Sequence, residues 1–289
     1  MTGGARRAHR AGVVALLGRP NAGKSTLLNR LLGERLAIVT HKPQTTRSRI
    51  LGILNTEDAQ LLLLDTPGFH AGGKALNKAL NEIVDRVAED CDAAVLLVDP
   101  GPGWDEGHEA LRARLERRGA RVIVVATKQD LARGRDSGVP DALAVSAETG
   151  HGIDALLARM VEALPESAPF YGPDELTDRP LRFLVAELVR QTVFEELGQE
   201  LPYSTAVEVL AYDESRPDLV RIQANLIVER KSQKGMVVGR GGAMIKRLGQ
   251  RSRAAIEELV GRRVHLELWV KVEPTWSKRP NRLKALGYD

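Results

Sequence analysis

The chain has 289 residues, 43% of them apolar, and a formal net charge of +4, values that fit a globular protein with two domains of ordinary size. A single cysteine, Cys91, excludes an internal disulfide, and the six histidines lack the spacing of metal ligands. The single cysteine fits a reducing, cytoplasmic setting. No stretch approaches the ~20 apolar residues of a membrane-spanning helix, so we expect any membrane contact to be peripheral.

Residues 1–11 are predicted to form a basic N-terminal extension that contains Arg6, Arg7 and Arg10. The apolar run behind it, AGVVALLG, resembles the core of an export signal, but it extends over only about seven residues and leads into a glycine-rich loop. We therefore interpret this run as the first strand of a sheet.

Residues 12–165 alternate short apolar runs with helical patterns, which predicts an α/β domain with a mostly parallel six-stranded sheet and helices on both faces. The apolar runs are VVALL, ILGIL, LLLLD, AAVLLVD, VIVVAT and ALAVSA. The polar turn at residues 55–58 favours one antiparallel hairpin at the sheet edge. Residues 166–180 are rich in proline, glycine and acidic residues, a composition typical of a linker.

Residues 181–275 predict a smaller α+β domain in the order helix, strand, strand, short helix, loop, helix, strand. Its last strand is indicated by strict alternation of apolar residues between Val264 and Val272, and its long helix by one apolar face that includes Ile256. Residues 276–289 form a C-terminal tail.

A phosphate-binding loop is predicted between the first strand and the first helix. Gly18 is followed by four variable residues and then by Gly23, Lys24 and Ser25, the spacing of a nucleotide-binding loop. The glycines allow backbone N–H groups to surround phosphates, Lys24 is predicted to reach the β- and γ-phosphate oxygens, and the Ser25 hydroxyl is predicted to ligate Mg²⁺. The predicted loop consists of Gly18, Arg19, Pro20, Asn21, Ala22, Gly23, Lys24, Ser25 and Thr26.

Three further motifs follow predicted strands, at the sheet edge where open α/β folds bind ligands. They are Asp65-Thr66-Pro67-Gly68, Thr127-Lys128-Gln129-Asp130 and Val145-Ser146-Ala147. Asp65 is predicted to hold Mg²⁺ through water, and the Gly68 N–H to sense the γ-phosphate.

The second and third motifs predict the base site. The Asp130 carboxylate can accept from the ring N–H and the exocyclic amine of guanine, a pair that adenine does not present, so it predicts GTP and GDP as the nucleotides. Lys128 is expected to pack along the loop and the base. The backbone of Ser146 and Ala147 is expected to close over the guanine oxygen.

The segment HKPQTTRSR, between the phosphate loop and Asp65, is a candidate switch loop. Either Thr45 or Thr46 can bring its hydroxyl to Mg²⁺ when a γ-phosphate is present, and Thr46 is the candidate metal ligand. A polar loop without this role is the alternative. Together with Lys24 and Gly68, the two threonines are the candidate catalytic residues.

A second glycine loop, within VVGRGGAMIK from Val237 to Lys246, favours RNA binding. A Gly-x-x-Gly turn ahead of a helix lets a phosphate backbone approach closely, and the helix N-terminus adds positive potential. Ten basic residues and only two acidic ones lie between Arg230 and Arg263. The candidate RNA-binding residues are Lys234, Val238, Gly239, Arg240, Gly241, Gly242, Ile245 and Lys246.

The nucleotide motifs resemble those of the translation-factor class of GTPases across the whole first domain. Thr127 occupies the position where that class usually has asparagine, so we expect a weaker contact to the imidazole side of guanine and a modest affinity. Phe69 follows Gly68 where Ras-type GTPases place a glutamine that orients the attacking water. Because an apolar side chain cannot do this, we expect slow intrinsic hydrolysis.

Residues 237–246 resemble the KH RNA-binding module in the arrangement that places the extra helix and strand first. A GTPase domain followed by a C-terminal KH domain resembles the Era family of bacterial ribosome-assembly GTPases, and the tail PTWSKRPNRLKALGYD also resembles that family. The resemblance implies binding to the 3′ end of 16S ribosomal RNA and action in 30S subunit maturation. It also implies RNA affinity in the GTP-bound state, a monomer, and peripheral association with the inner membrane.

Two other functions remain open at this point. In the first, the chain is an RNA-binding adaptor in which the nucleotide is only a structural ligand. In the second, it is a tRNA-modification or 50S-assembly GTPase, a reading that the C-terminal KH pattern disfavours. Among the aromatic residues, Trp276 in the polar tail is our candidate for stacking on a base.

Overall fold

The computed structural model describes residues 8–40, 42, 49–69, 86–87, 89–132, 138–139, 141–198 and 201–287. Contacts divide the chain into two compact units. The first unit comprises Met1–Ala37 and Arg49–Asp178, and the second comprises Ile38–Ser48 and Arg179–Asp289. Each unit has a buried apolar core of its own.

The first unit contains a six-stranded sheet in the order β2-β3-β1-β4-β5-β6. Every neighbouring pair is parallel except β2 and β3, which form an antiparallel hairpin. The strands are β1 (Arg10–Gly18), β2 (Ile50–Asn55), β3 (Ala59–Asp65), β4 (Ala93–Val98), β5 (Arg121–Ala126) and β6 (Leu143–Ala144). The central strands β3 and β4 are buried along their whole length, which explains their unbroken apolar sequences. The predicted fold class is confirmed.

The described part of this unit includes the helices α1 (Lys24–Leu32), α2 (Glu106–Arg117) and α3 (Ile153–Ala163). Helix α2 inserts Leu111 and Leu115 against the sheet face that carries Ala15 and Leu17. Its N-terminus is fixed by Asp105, whose side chain accepts from the backbone of His108. This cap lies in the loop between β4 and α2, after the C-terminal end of β4.

The segment predicted as a linker, residues 166–180, packs on the first unit over most of its length. The side-chain oxygen of buried Gln60 accepts from the backbone N–H groups of Phe170 and Tyr171, at 2.6 and 3.0 Å. The Leu176 carbonyl accepts from the N–H of Ile53 at 2.9 Å, on the open side of strand β2. The segment covers polar backbone at the sheet edge and is counted with this unit as far as Asp178.

The second unit contains a three-stranded sheet in the order β7-β8-β9, with β7 and β8 antiparallel and β8 and β9 parallel. Its elements are α4 (Leu181–Glu196), β7 (Thr205–Arg216), β8 (Leu219–Val228), α5 (Lys231–Val238), α6 (Ala243–Val260) and β9 (Arg263–Val272). Helices α4 and α6 cover the sheet face that displays Ile222, Ala224 and Leu226. The order of elements is the predicted one.

The C-terminal tail belongs to this unit and includes α7 (Pro280–Ala285). Trp276 is only 2% exposed and packs against Ala206 and Ile227 on the sheet face opposite the main core. The prediction that Trp276 stacks on a base is therefore wrong, because the indole supports the sheet. Trp269 on β9 is the tryptophan left 45% exposed. Among the described residues, no helix is long and apolar enough to cross a membrane.

Candidate functional site

The phosphate loop follows β1 and leads into α1, as the sequence predicts. Gly23 adopts φ 95° at the start of α1, a left-handed conformation that favours glycine. A Cβ atom on Gly18 would lie 2.7 Å from the Leu97 carbonyl oxygen. These two glycines thus keep the loop backbone bent and close to the sheet, a backbone shape that suits phosphate binding.

Lys24 is the buried cation of this loop. Its Nζ donates to the carbonyl oxygens of Gly18 and Arg19, at 3.2 and 2.9 Å. Burial lowers the pKa of Lys24 to about 8, and the nearby Asp65 carboxylate offsets part of that shift. Burial removes the water that would stabilise the charge of this ammonium group. The negative oxygens of a phosphate would replace that stabilisation, so a buried ammonium group held by loop carbonyls is suited to an anionic ligand.

Ser25 and Asp65 form a pair of oxygen donors next to Lys24. The Ser25 hydroxyl donates to Asp65 Oδ2 at 2.6 Å, and Asp65 is fully buried at the end of β3. A hydroxyl and a carboxylate are hard donors of the kind that Mg²⁺ prefers, so these residues fit that ion. Among the described residues, no group of three His, Cys, Asp or Glu side chains can hold a metal alone. The candidate ligand Thr46, like Thr45, lies outside the described residues.

Gly68 lies directly against the phosphate loop. A Cβ atom at position 68 would be 2.4 Å from the Pro20 nitrogen, so only glycine permits this approach. The next residue, Phe69, donates its backbone N–H to the Gly18 carbonyl at 3.2 Å. Its ring is 8% exposed and packs in the core of the first unit. Thr66 ties the same motif to β1 through a 2.9 Å bond from its hydroxyl to the Leu16 carbonyl.

The residues predicted for the base site lie after β5 and β6, at the same sheet edge. Asp130 Oδ1 accepts from the Ser146 hydroxyl at 2.6 Å, so the structure joins the two motifs. The Lys128 ammonium pairs with Asp99 at 2.7 Å, and Asp99 directly follows β4. Ala147 follows the buried Ser146 and is half-buried. Sequence patterns do not indicate Asp99, because a single acid after a strand has many other uses.

Thr127 has a defined structural role. Its buried hydroxyl donates to the Ala22 carbonyl at 2.9 Å and lies 3.2 Å from the Val98 carbonyl. The end of β5 is thus connected to the phosphate loop by this side chain. Because a hydroxyl has one proton, the bond to Ala22 leaves no donor for a nucleotide base.

The second glycine loop connects α5 to α6. Gly239 ends α5 with φ 74°, and Gly241 and Gly242 adopt φ 59° and 81°. No described atom lies within 4 Å of the Cβ position of Gly241, so the loop surface is open there. Arg240, Lys234 and Lys246 are exposed around the loop, and no described acid pairs with them. The hydrophobic residues Val238 and Ile245 flank it and are half-buried.

The basic stretch around this loop is divided by the fold. Arg247 and Arg251 of α6 both pair with Glu196 at the end of α4, and Arg251 also pairs with Glu195 at 2.8 Å. The hydrogen bond from Arg251 lowers the pKa of Glu196, and Arg247 adds to that effect. Both arginines belong to the basic stretch that the sequence assigns to RNA binding, but their charge is compensated within the unit.

Comparison with known proteins agrees with both sites. A family model described as "50S ribosome-binding GTPase" matches residues 13–128, and a "KH domain" model matches residues 200–277. GTPase Era of Stenotrophomonas maltophilia is 42% identical over 97% of this chain and 98% of its own length. GTPase Era of Xanthomonas axonopodis pv. citri is 41% identical over the same shares.

The chain belongs to the Era family of GTPases.

Two solved Era structures align with the chain over almost its whole length, each at 34% identity. One is Era in complex with MgGDPNP and nucleotides 1506–1542 of 16S ribosomal RNA, with a TM-score of 0.88 over 97% of this chain and 99% of that one. The other is a single-residue variant of Aquifex aeolicus Era bound to GDP.AlF4−, with a TM-score of 0.89 over 96% and 99%.

Era membership also argues against one of the sequence alternatives, the tRNA-modification or 50S-assembly GTPase. The family model described as "50S ribosome-binding GTPase" matches residues of the first unit alone. The Era relatives, in contrast, match both units and the tail. The reading as a tRNA-modification or 50S-assembly GTPase explains only the shared nucleotide motifs.

Proposed function

We propose that this chain is a GTP-binding, slowly hydrolysing switch protein that binds the 3′ end of 16S ribosomal RNA and assists maturation of the 30S subunit. The observation that carries the proposal is the presence of two open, glycine-shaped anion sites in one chain, one in each unit. A related Era structure contains MgGDPNP and 16S ribosomal RNA together.

In the nucleotide site, each residue has a task that its contacts support. Lys24 would exchange its loop carbonyl partners for the β- and γ-phosphate oxygens, and Asp130 would accept from the guanine edge. Ser25 and Asp65 would hold Mg²⁺, which supplies charge stabilisation to the phosphates when bound. The N–H of Gly68 would donate to the γ-phosphate. Phe69 offers no polar atom to water, so intrinsic turnover is slow.

In the RNA site, the exposed loop from Gly239 to Gly242 would receive the phosphate backbone of a single strand. The N-terminus of α6 points its N–H groups toward this loop, and the first turn of α6 has no acidic residue. Lys234, Arg240 and Lys246 would neutralise phosphates, while Val238 and Ile245 would contact bases.

We further propose that the protein acts as a cytoplasmic monomer whose contact with the inner membrane is peripheral. The GTPase domain would extend over residues 12–165 and the KH domain over residues 181–275, with the segment between them docked on the GTPase domain.

The decisive experiment measures affinity for a 16S 3′-end RNA oligonucleotide with a GTP analogue and with GDP. A higher affinity with the analogue supports the switch, since a ligand shifts an equilibrium only through differential binding. Equal affinities would support the adaptor function instead.

A matched pair of charge reversals locates the RNA on the surface. Lys246→Glu and Arg253→Glu each replace a positive charge with a negative one on an exposed residue of α6. The two positions are seven residues, or about 10 Å, apart along the helix. We expect the first variant to lose RNA affinity strongly and the second to lose little. Equal losses would remove the glycine loop from the proposed interface.

A further inference from the structure

A cluster of polar and aromatic side chains joins the phosphate loop to the N-terminus of α2. Arg19, the second residue of the loop, donates from Nε and Nη2 to Asp105 Oδ2, at 3.0 and 2.6 Å. The two residues are 86 positions apart in the chain. None of the sequence motifs includes Asp105 or the helix that it caps.

Phe69 is held at the centre of this cluster. The Arg19 guanidinium lies over the Phe69 ring, 4.6 Å from its centroid, and the His108 ring meets its edge at 5.2 Å. Trp104 stacks on the His108 ring, with ring centroids 5.2 Å apart. Because the Phe69 backbone is bonded to Gly18, fixing the ring also fixes the Gly68–Phe69 peptide against the loop.

Asp105 has two separable functions in this arrangement. Its Oδ1 caps α2 by accepting from the His108 N–H at 3.0 Å, while its Oδ2 receives Arg19. Burial acts to raise the pKa of Asp105, but the hydrogen bonds from His108 and Arg19 outweigh it and hold the pKa below its ordinary value. The carboxylate is therefore ionised at neutral pH and can pair with Arg19.

An ordinary surface ion pair would have little effect on activity. The pair of Arg112 and Glu116 on the same helix, at 2.8 Å, is of that kind, since both side chains face solvent. Arg19 differs because it is confined. It is 23% exposed, and its Nη2 lies 2.5 Å from where a Cβ atom on Gly107 would be. A displacement of Arg19 therefore changes the contacts of Phe69.

We propose that Asp105 is a positioning residue for GTP hydrolysis: it holds Arg19 over Phe69 and thereby keeps the Gly68 N–H at the γ-phosphate site. The inference deepens the proposed function and rests on it. Asp105 acts only through Arg19 and Phe69 and needs no contact with the nucleotide.

The test uses the full-length Asp105→Asn variant, because asparagine also caps helices but cannot form the ion pair. We expect kcat to fall about five- to twentyfold, with a similar loss of affinity for a GTP analogue and unchanged affinity for GDP. The Tm should stay close to that of the wild type. Arg19→Gln should give the same pattern, and the double variant should be no worse than either single variant, because both remove one interaction. Arg112→Gln is the matched control and should behave as the wild type.

The outcomes separate this inference from the proposed function. A wild-type chain that neither binds nor hydrolyses GTP would remove the proposed function itself. An active wild type with Asp105→Asn equally active would overturn only the positioning role. Equal losses of GTP and GDP affinity, or additive effects of the two substitutions, would also overturn it, since they indicate a structural contribution.

Discussion

Gly68→Ala is the substitution that most directly tests the proposed contact between the Gly68 N–H and the γ-phosphate. In the structure, the Cβ position of residue 68 lies 2.4 Å from the Pro20 nitrogen and 2.7 Å from its Cα atom. Favourable contacts between such atoms occur at about 3.5–4.0 Å, so the methyl group would be about 1 Å too close. Both opposing atoms are backbone and cannot rotate away.

The size of the effect follows from the cost of overpacking. Forcing a methyl group into a packed site costs about 1–3 kcal/mol. The chain can avoid this cost by moving residue 68 away from the loop, but its N–H would then lose the proposed contact with the γ-phosphate. The penalty therefore falls on the GTP state and not on the GDP state. We expect the ratio of GTP-analogue to GDP affinity to fall about five- to 150-fold, with GDP affinity unchanged.

Titration with fluorescent GDP and GTP analogues measures both affinities on the same protein. Gly172→Ala is a suitable control in the same unit, because its Cβ would meet only the flexible end of Glu175, at 3.1 Å. An unchanged affinity ratio in Gly68→Ala would refute the argument that close approach of residue 68 distinguishes the nucleotides. A parallel loss of GDP affinity would show instead that the substitution distorts the phosphate loop.

Four further outcomes follow from the contacts described above. Thr127→Asn adds a second donor proton, one for Ala22 and one for guanine, so calorimetry should show GTP and GDP binding both tightened about three- to tenfold. Asp130→Asn should weaken GTP binding about a hundredfold in competition assays and admit xanthosine triphosphate, whose 2-carbonyl accepts the new amide proton. Trp276→Ala should destabilise the second unit by about 3–5 kcal/mol, seen as an earlier unfolding transition, while RNA affinity of the folded variant is retained. A plot of the logarithm of RNA affinity against the logarithm of salt concentration should have a slope of about −2, as expected when three phosphates of a single strand are neutralised. If all ten basic residues neutralised phosphates, the slope would be about −7.

The sequence identifies the nucleotide site because its motifs depend on local rules. The Gly18–Ser25 spacing, the strand that precedes it and the polar residues after β3 and β5 each follow from chain order, and a parallel sheet collects strand ends at one edge. The same holds for the helix-loop-helix around Gly239. These elements were predicted without knowledge of any contact between distant residues.

Other features depend on contacts between distant segments, and the sequence does not show them. In the sequence, Gln60 is a polar strand residue with no indicated role, yet its side chain holds the segment around Phe170 by hydrogen bonds to the backbone. Trp276 lies among polar residues in the tail, yet it is buried because it packs on the face of the second sheet opposite the main core. In both cases tertiary packing outweighs local composition, which is the usual limit of reasoning from pattern alone.

The charge around the RNA loop shows why a basic stretch in sequence differs from a basic surface. Within residues 230–263 the count is ten basic residues against two acidic ones, but α4 contributes two further acids from outside the stretch. Glu195 and Glu196 compensate Arg247 and Arg251 of α6, so the exposed basic residues next to the loop that pair with no described acid are Lys234, Arg240 and Lys246. We expect this distribution of charge to direct a strand of RNA to the glycine loop, where its backbone can approach closely, rather than along the helix. In the proposed function, the fold would determine where RNA binds by neutralising part of its own basic charge.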